Sequence, residues 1–237
     1  MTNHAVLNNV EHHDLRIIRD RSAELGDNVM CAQLLPQEFR DAQNDYPIFF
    51  HKDHNSGKFL PYAMFGLQEN ENLFLEGGSW NAAYLPFLVE RGPFSVGVQQ
   101  KSNDERGLVI SIDMDHPRVS RSQGEALFLP HGGHTDYLNR VSYLLQAINA
   151  GVVETEAFVE DLLKYDLLKP FALEVELNSG SKHRLEGFHT IDEENLVNLG
   201  GDALADLSSK FFLPAAYMAV ASLSNIRKLI EKKNQRL

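Results

Sequence analysis

Two short stretches bring together side chains able to hold a metal ion. The first is Asp113-Met114-Asp115-His116, at the end of the apolar run Leu108-Val109-Ile110-Ser111-Ile112. Alternate residues of a strand point the same way, so Asp113 and Asp115 present two carboxylates on one side, where one divalent cation can join them. Asp-x-Asp at a strand end holds the metal of nucleotide-sugar transferases and supplies the nucleophile of haloacid-type phosphatases. The phosphatase pattern has Thr or Val two residues after the second Asp, where this chain has Pro117. The second stretch, His131-Gly132-Gly133-His134-Thr135-Asp136, offers two imidazoles and a carboxylate of the kind that binds zinc or iron. Each has a plainer account. Strand-end acids form turns, Gly132-Gly133 makes a turn, and Thr135 or Asp136 caps a following helix. His51 and His54, at the ends of one loop, are a fainter pair of the same type. A third candidate is a binding surface of Trp80, Tyr84 and Arg91, although an aromatic stripe more often belongs to a core.

These residues need elements to position them. Ile48–His51 and Phe59–Leu67 read as a hairpin, with Asn72–Leu75 as the next strand of an antiparallel meander over 47–75. From Trp80 to Arg91 the apolar residues recur at helical spacing, interrupted by Pro86. Ser95–Gln99 and Leu108–Asp113 are two strands joined by the charged loop 101–106. Tyr137 to Gly151 predicts a helix stopped by its glycine, and Thr155 caps a second over Glu156–Leu168, which together make a helical hairpin. Phe171–Leu177 and Lys182–Ile191 flank the turn Asn178-Ser179-Gly180-Ser181 as paired strands. Beyond 192 the chain reads as helical: Asp192 opens one short helix, Asp202 caps another, and Pro214 to about Lys233 forms the last. The expectation is α+β, with a mostly antiparallel sheet, a helical hairpin and a helical C-terminal segment over 192–237. The whole of 1–237 is expected to be one domain, loosely ordered over 1–13.

Composition narrows the function. Thirty-three acidic against 22 basic residues give a formal net charge of −11, which argues against nucleic acid as a partner. A single cysteine, Cys31, forms no intrachain disulfide. Met1 to Glu11 has neither the basic nor the apolar region of a secretory signal, so the expected location is the cytoplasm. The apolar run Phe211–Leu223 contains Pro214 and falls short of the roughly 20 residues that span a bilayer. No phosphate loop, dinucleotide fingerprint, nucleophile elbow or paired-cysteine motif occurs.

Several longer patterns carry a resemblance. Tyr46-Pro47-Ile48-Phe49, Ala63-Met64-Phe65-Gly66-Leu67-Gln68-Glu69-Asn70-Glu71-Asn72-Leu73-Phe74, Trp80 with Tyr84-Leu85-Pro86, and Arg91-Gly92-Pro93-Phe94 lead the set. Gly124-Glu125-Ala126-Leu127-Phe128, Leu185-Glu186-Gly187-Phe188-His189-Thr190-Ile191-Asp192-Glu193 and Ser222-Leu223-Ser224-Asn225-Ile226-Arg227-Lys228-Leu229 continue it. The chain resembles the bacterial SapC family from about residue 27 onward, as distinct from the peptide-transporter permease of the same name. The resemblance implies an acidic-Gly turn where this chain has His131 and His134. The resemblance implies no established activity. It implies a surface-layer association by name, and neighbouring genes for flavin-dependent halogenases, cupin-like proteins and TonB-dependent receptors. The leading expectation is therefore a non-enzymatic binding or accessory protein for a protein, peptide or glycan partner, with no cofactor favoured and self-association left open. The rivals are a divalent-metal enzyme using Asp113, Asp115 and His116 or His131, His134 and Asp136, and a structural surface-layer component.

Overall fold

The computed structural model describes residues 3–54, 56–100 and 106–237, so most of the charged loop expected at 101–106 lies outside the described residues. In chain order the strands are β1 (His4–Val6), β2 (Arg16–Ile17), β3 (Cys31–Gln33), β4 (Ile48–Lys52), β5 (Phe59–Met64), β6 (Leu75–Glu76) and β7 (Ser79–Trp80). They continue as β8 (Phe94–Gln100), β9 (Arg106–Asp113), β10 (Val119–Ser120), β11 (Glu125–Ala126), β12 (Leu168–Glu176) and β13 (Lys182–Ile191). The helices are α1 (Phe39–Ala42), α2 (Phe87–Glu90), α3 (Asp136–Lys164), α4 (Glu193–Val197), α5 (Gly201–Ser209), α6 (Phe212–Ser222) and α7 (Asn225–Asn234). Every strand pair described is antiparallel, so the protein is α+β as its sequence leads one to expect. Among the described residues no helix is long and apolar enough to cross a membrane.

The chain forms two compact units, one of Met1–Asp27 with Phe87–Ala150, the other of Asn28–Pro86 with Gly151–Leu237. In the first, β9 lies between β1 and β8, and β2 lies between β10 and β11. β1 is an edge strand, with His4 to Val6 paired to Asp113 to Ser111. Gly124 allows β11 to close on β2: its φ is +96°, and a Cβ there would meet the Ile17 carbonyl oxygen at 2.3 Å. No other residue type fits that approach.

The second unit holds a five-stranded sheet in the order β12-β13-β4-β5-β3. The β4/β5 and β12/β13 hairpins stand where alternation and turn residues place them. The third strand beside β5 is β3, however, and not Asn72–Leu75. There the Asn72 side chain accepts the Phe74 amide (2.9 Å) and bends the backbone, leaving only Leu75–Glu76 to pair with β7. The helix expected over Trp80–Arg91 shrinks to α2, because Pro86 supplies no backbone donor and Asp45 takes the amides of Ala83 (2.9 Å) and Tyr84 (3.1 Å). Tyr46, Phe65, Phe74 and Trp80 pack edge to face at centroid distances of 4.8–5.1 Å. Full burial of a ring such as Phe65 or Phe74 contributes roughly 1.5–3 kcal/mol.

Two further expectations are corrected. In place of the helical hairpin expected over 137–168, α3 is one helix of 29 residues. Thr155, in place of capping a new helix, donates its hydroxyl to the Gly151 carbonyl (2.7 Å) within the continuing one. Gly151 is small because Leu35 fills the space, with Leu35 Cδ1 2.6 Å from where a Cβ would stand. The last helix, expected as one piece, breaks at Leu223-Ser224 into α6 and α7. Ser222 accepts the Ile48 amide (2.9 Å), and Asn225 donates to the carbonyls of Gln43 (2.6 Å) and Tyr46 (3.3 Å). These bonds tie the two sides of the break to residues 43–48, where the chain enters β4.

Candidate ligand-binding site

A group of four arginines lies in the first unit, around the segment that follows β2. Ile17 is buried in that short strand, and Ile18 to Arg21 continue from it with the arginines at 19 and 21. Arg118 reaches the same place from the turn after β9. Its Nη1 donates to the carbonyls of Ile18 (2.9 Å) and Asp20 (2.7 Å), and its Nη2 donates to the Asp27 carboxylate. Asp27 also accepts from Arg21 Nη1 (3.1 Å) and from the Ser22 amide (3.0 Å). Arg118 and Asp27 are 3% and 4% exposed, so this network is set away from water. Burial, followed by the nearby Arg21 charge, lowers the Arg118 pKa, and Asp27 opposes both. A guanidinium stays protonated under those conditions, because its starting value is so high.

Four arginines, Arg19, Arg21, Arg118 and Arg140, line a cavity of about 40 Å³. Apolar walls come from Ile17 in β2 and from Val141 and Leu144 in α3. By the usual measure of 10–15 Å³ per water, the cavity has room for roughly three waters or for one small anionic group. Arg19 lies over the Tyr137 ring at 5.4 Å, and burial pushes the Tyr137 hydroxyl up to about 12, so it remains a neutral donor near neutral pH. Glu125 joins Arg19 (3.0 Å) to Arg140 (3.5 Å) at the solvent side. Against the four arginines stand Asp27, Glu90 and Glu125, which leaves one positive charge over in a chain whose net charge is −11. Ile17, Ile18 and Arg19 also line a wider adjoining cleft of about 400 Å³, together with Asp20, Gln123 and Glu125.

The structure gives Asp113, Asp115 and His116 a common task. Asp113 Oδ1 accepts the Asp115 amide (3.2 Å), the His116 amide donates to the Asp113 carbonyl (3.2 Å), and His116 Nδ1 accepts the Arg118 amide (3.2 Å). They form the turn that delivers Arg118. Burial, then the Arg118 charge, lowers the His116 pKa and so favours the neutral ring that can accept that amide. His131, His134 and Asp136 are exposed. His134 bridges to Phe128 and packs edge-on against its ring at 5.8 Å, while Thr135 accepts the Leu138 amide (3.3 Å) at the start of α3. His51 and His54 stand 5.7 Å apart between ring centroids. Among the described residues, no group of three or more His, Cys, Asp or Glu is placed to hold a metal ion.

Trp80, Tyr84 and Arg91 do not share one unit. In the second unit, Trp80 Nε1 donates to the Tyr46 hydroxyl (2.7 Å), that hydroxyl donates to the Tyr84 carbonyl, and the Tyr84 hydroxyl donates to Glu38 (2.8 Å). In the first, Arg91 donates to the Phe94 carbonyl (2.6 Å), and its neighbours Gly92 and Pro93 line the arginine cavity. Sequence reasoning did not single out Arg19, Arg21, Arg118 or Arg140. One signal was present: Arg16, Arg19 and Arg21 lie within one short stretch of an acidic chain, beside apolar Leu15, Ile17 and Ile18.

Neither a curated protein nor a solved structure matches the chain. A family model does, that of SapC, over residues 7–229. The match includes β2, the Asp113–Arg118 turn and α3, which build the cavity, and runs on through the second unit. On a match covering nearly its whole length, the chain belongs to the SapC family.

Proposed function

We propose that this SapC-family chain is a binding protein that takes an anionic group of its ligand into the arginine cavity of the first unit. One observation carries the reading: four arginines line one cavity in a chain whose net charge is −11. Arginine presents paired N–H donors in a plane that matches a carboxylate or phosphate oxygen pair. Spending four of them on one cavity, with Asp27 and Glu125 neutralising part of the charge, suits selective retention of an anion over general attraction. The lining chemistry also favours holding over proton transfer, since guanidiniums and a tyrosine raised to about 12 keep their protons near neutral pH. Such a protein serves as an accessory of a surface or uptake system, binding a peptide, glycan or protein with an anionic end.

Isothermal titration of the full chain with propionate and with inorganic phosphate tests this. Millimolar binding that falls with added salt is expected, with Arg140→Gln weakening it about tenfold, the equivalent of about 1.4 kcal/mol. Arg140 is 60% exposed, so the variant keeps its fold. Absence of binding to both anions, or binding indifferent to Arg140→Gln and Arg21→Gln in folded variants, overturns the reading.

A further inference from the structure

The cleft beside the arginine cavity adds a second charge to the description of the ligand, an inference that rests on the cavity being its binding site. Inner cavity and outer cleft share Ile17, Ile18 and Arg19 in their linings, which makes them neighbours. The inner surface is cationic. The outer one carries the carboxylates of Asp20 and Glu125 beside the amide side chain of Gln123.

Glu125 is the connecting group. Its Oε2 accepts from Arg19 Nη1 at 3.0 Å, and its Oε1 lies 3.5 Å from Arg140 Nη2. Arg19 and Arg140 are 54% and 60% exposed, so these are weak, exchangeable pairs, unlike the buried set of Arg21, Asp27 and Arg118. An anion entering the cavity competes with Glu125 for the two outer guanidiniums. If it succeeds, Glu125 loses its countercharges in a cleft that already holds Asp20. A ligand with only an anionic group therefore breaks an ion pair for each one it forms. A ligand with a cationic group next to the anionic one replaces both.

We infer that the ligand is zwitterionic, with a carboxylate held by the arginines of the inner cavity and an ammonium group held by Glu125 and Asp20 in the outer cleft. A carboxylate is favoured because Glu125 already presents one to two of the same guanidiniums. Amino carboxylates are the chemical class that meets both requirements.

Titration calorimetry of the full chain distinguishes this from plain anion binding. The probes are glycine, β-alanine, γ-aminobutyrate and lysine, with propionate, ethylamine and inorganic phosphate as partial matches. At least one amino carboxylate is expected to bind about tenfold tighter than propionate, and ethylamine to bind not at all. Glu125→Gln is expected to reduce that preference to about threefold or less while leaving propionate binding equal or stronger. If propionate or phosphate binds as tightly as every amino carboxylate and Arg140→Gln still weakens it, the zwitterion is overturned and the anion site stands. If no probe binds, both fall.

Discussion

Arg118 reaches three partners from one side chain, and the most demanding of them is Asp27, because both groups are almost wholly removed from water. Replacing the arginine leaves a buried carboxylate with less positive charge around it, and frees two carbonyls that it had satisfied. Arg118→Met is therefore expected to cost about 3–5 kcal/mol in urea denaturation, because half of a buried pair is worse than none. Combining it with Asp27→Leu is expected to recover part of that loss, a coupling that a double-mutant cycle reads directly. A purely additive cycle would show that the two charges do not depend on each other. The turn that presents Arg118 was legible, since Asp113 to Pro117 has turn composition at a strand end. Its purpose was not, because Arg118 and Asp27 are 91 positions apart and no local pattern connects them.

Elements were easiest to read where one face alternates and a turn residue ends the run. The β12/β13 hairpin is such a case, with Gly180 at φ +81° between its strands. They were hardest to read where a distant side chain decides the outcome. Asp45 claims the amides of Ala83 and Tyr84 and so replaces an expected helix with a loop. At Gly151 the glycine reads as a stop, whereas it answers to Leu35, which occupies the space of its missing side chain. That substitution has two opposed consequences. Alanine improves helix propensity by up to about 1 kcal/mol, but a Cβ 2.6 Å from Leu35 Cδ1 and 3.2 Å from its Cβ and Cγ overpacks a fully buried leucine. Overpacking costs about 1–3 kcal/mol, so Gly151→Ala is expected to be net destabilising. With Leu35→Ala already present, the Cδ1 and Cγ contacts are gone and only the 3.2 Å contact with the Cβ at 35 is left, so adding Gly151→Ala is expected to destabilise less than it does in the parent. Thermal unfolding of the four proteins decides it, and a stabilising Gly151→Ala in the parent would refute the packing account.

For the whole molecule, the important fact is that neither compact unit is continuous in sequence. Residues 87–150 contain β8 to β11 but lack β1, the partner of β9, and β2, which lies between β10 and β11. Expressed alone, that segment is expected to show no cooperative melting by circular dichroism, and adding a synthetic peptide of residues 1–27 is expected to restore it. A cooperative transition without the peptide would mean that β1 and β2 are dispensable. The pattern of strands and helices read along the sequence conveyed the overall α+β class, because class follows from local periodicity. The division into units was not legible, because it depends on which distant segments pair.

The pairing of Ile17 with Val119 also has a consequence in time. A chain made from its N-terminus, at ~5–20 residues per second, holds Leu15 to Ile18 without their partners for roughly 5–20 seconds, until about a hundred more residues have emerged. During that interval, apolar side chains that end up buried face water beside Arg16 and Arg19. The arginine cavity consequently has no fixed shape until α3 has emerged as far as Leu144, while the five-stranded sheet waits longer still, for β13.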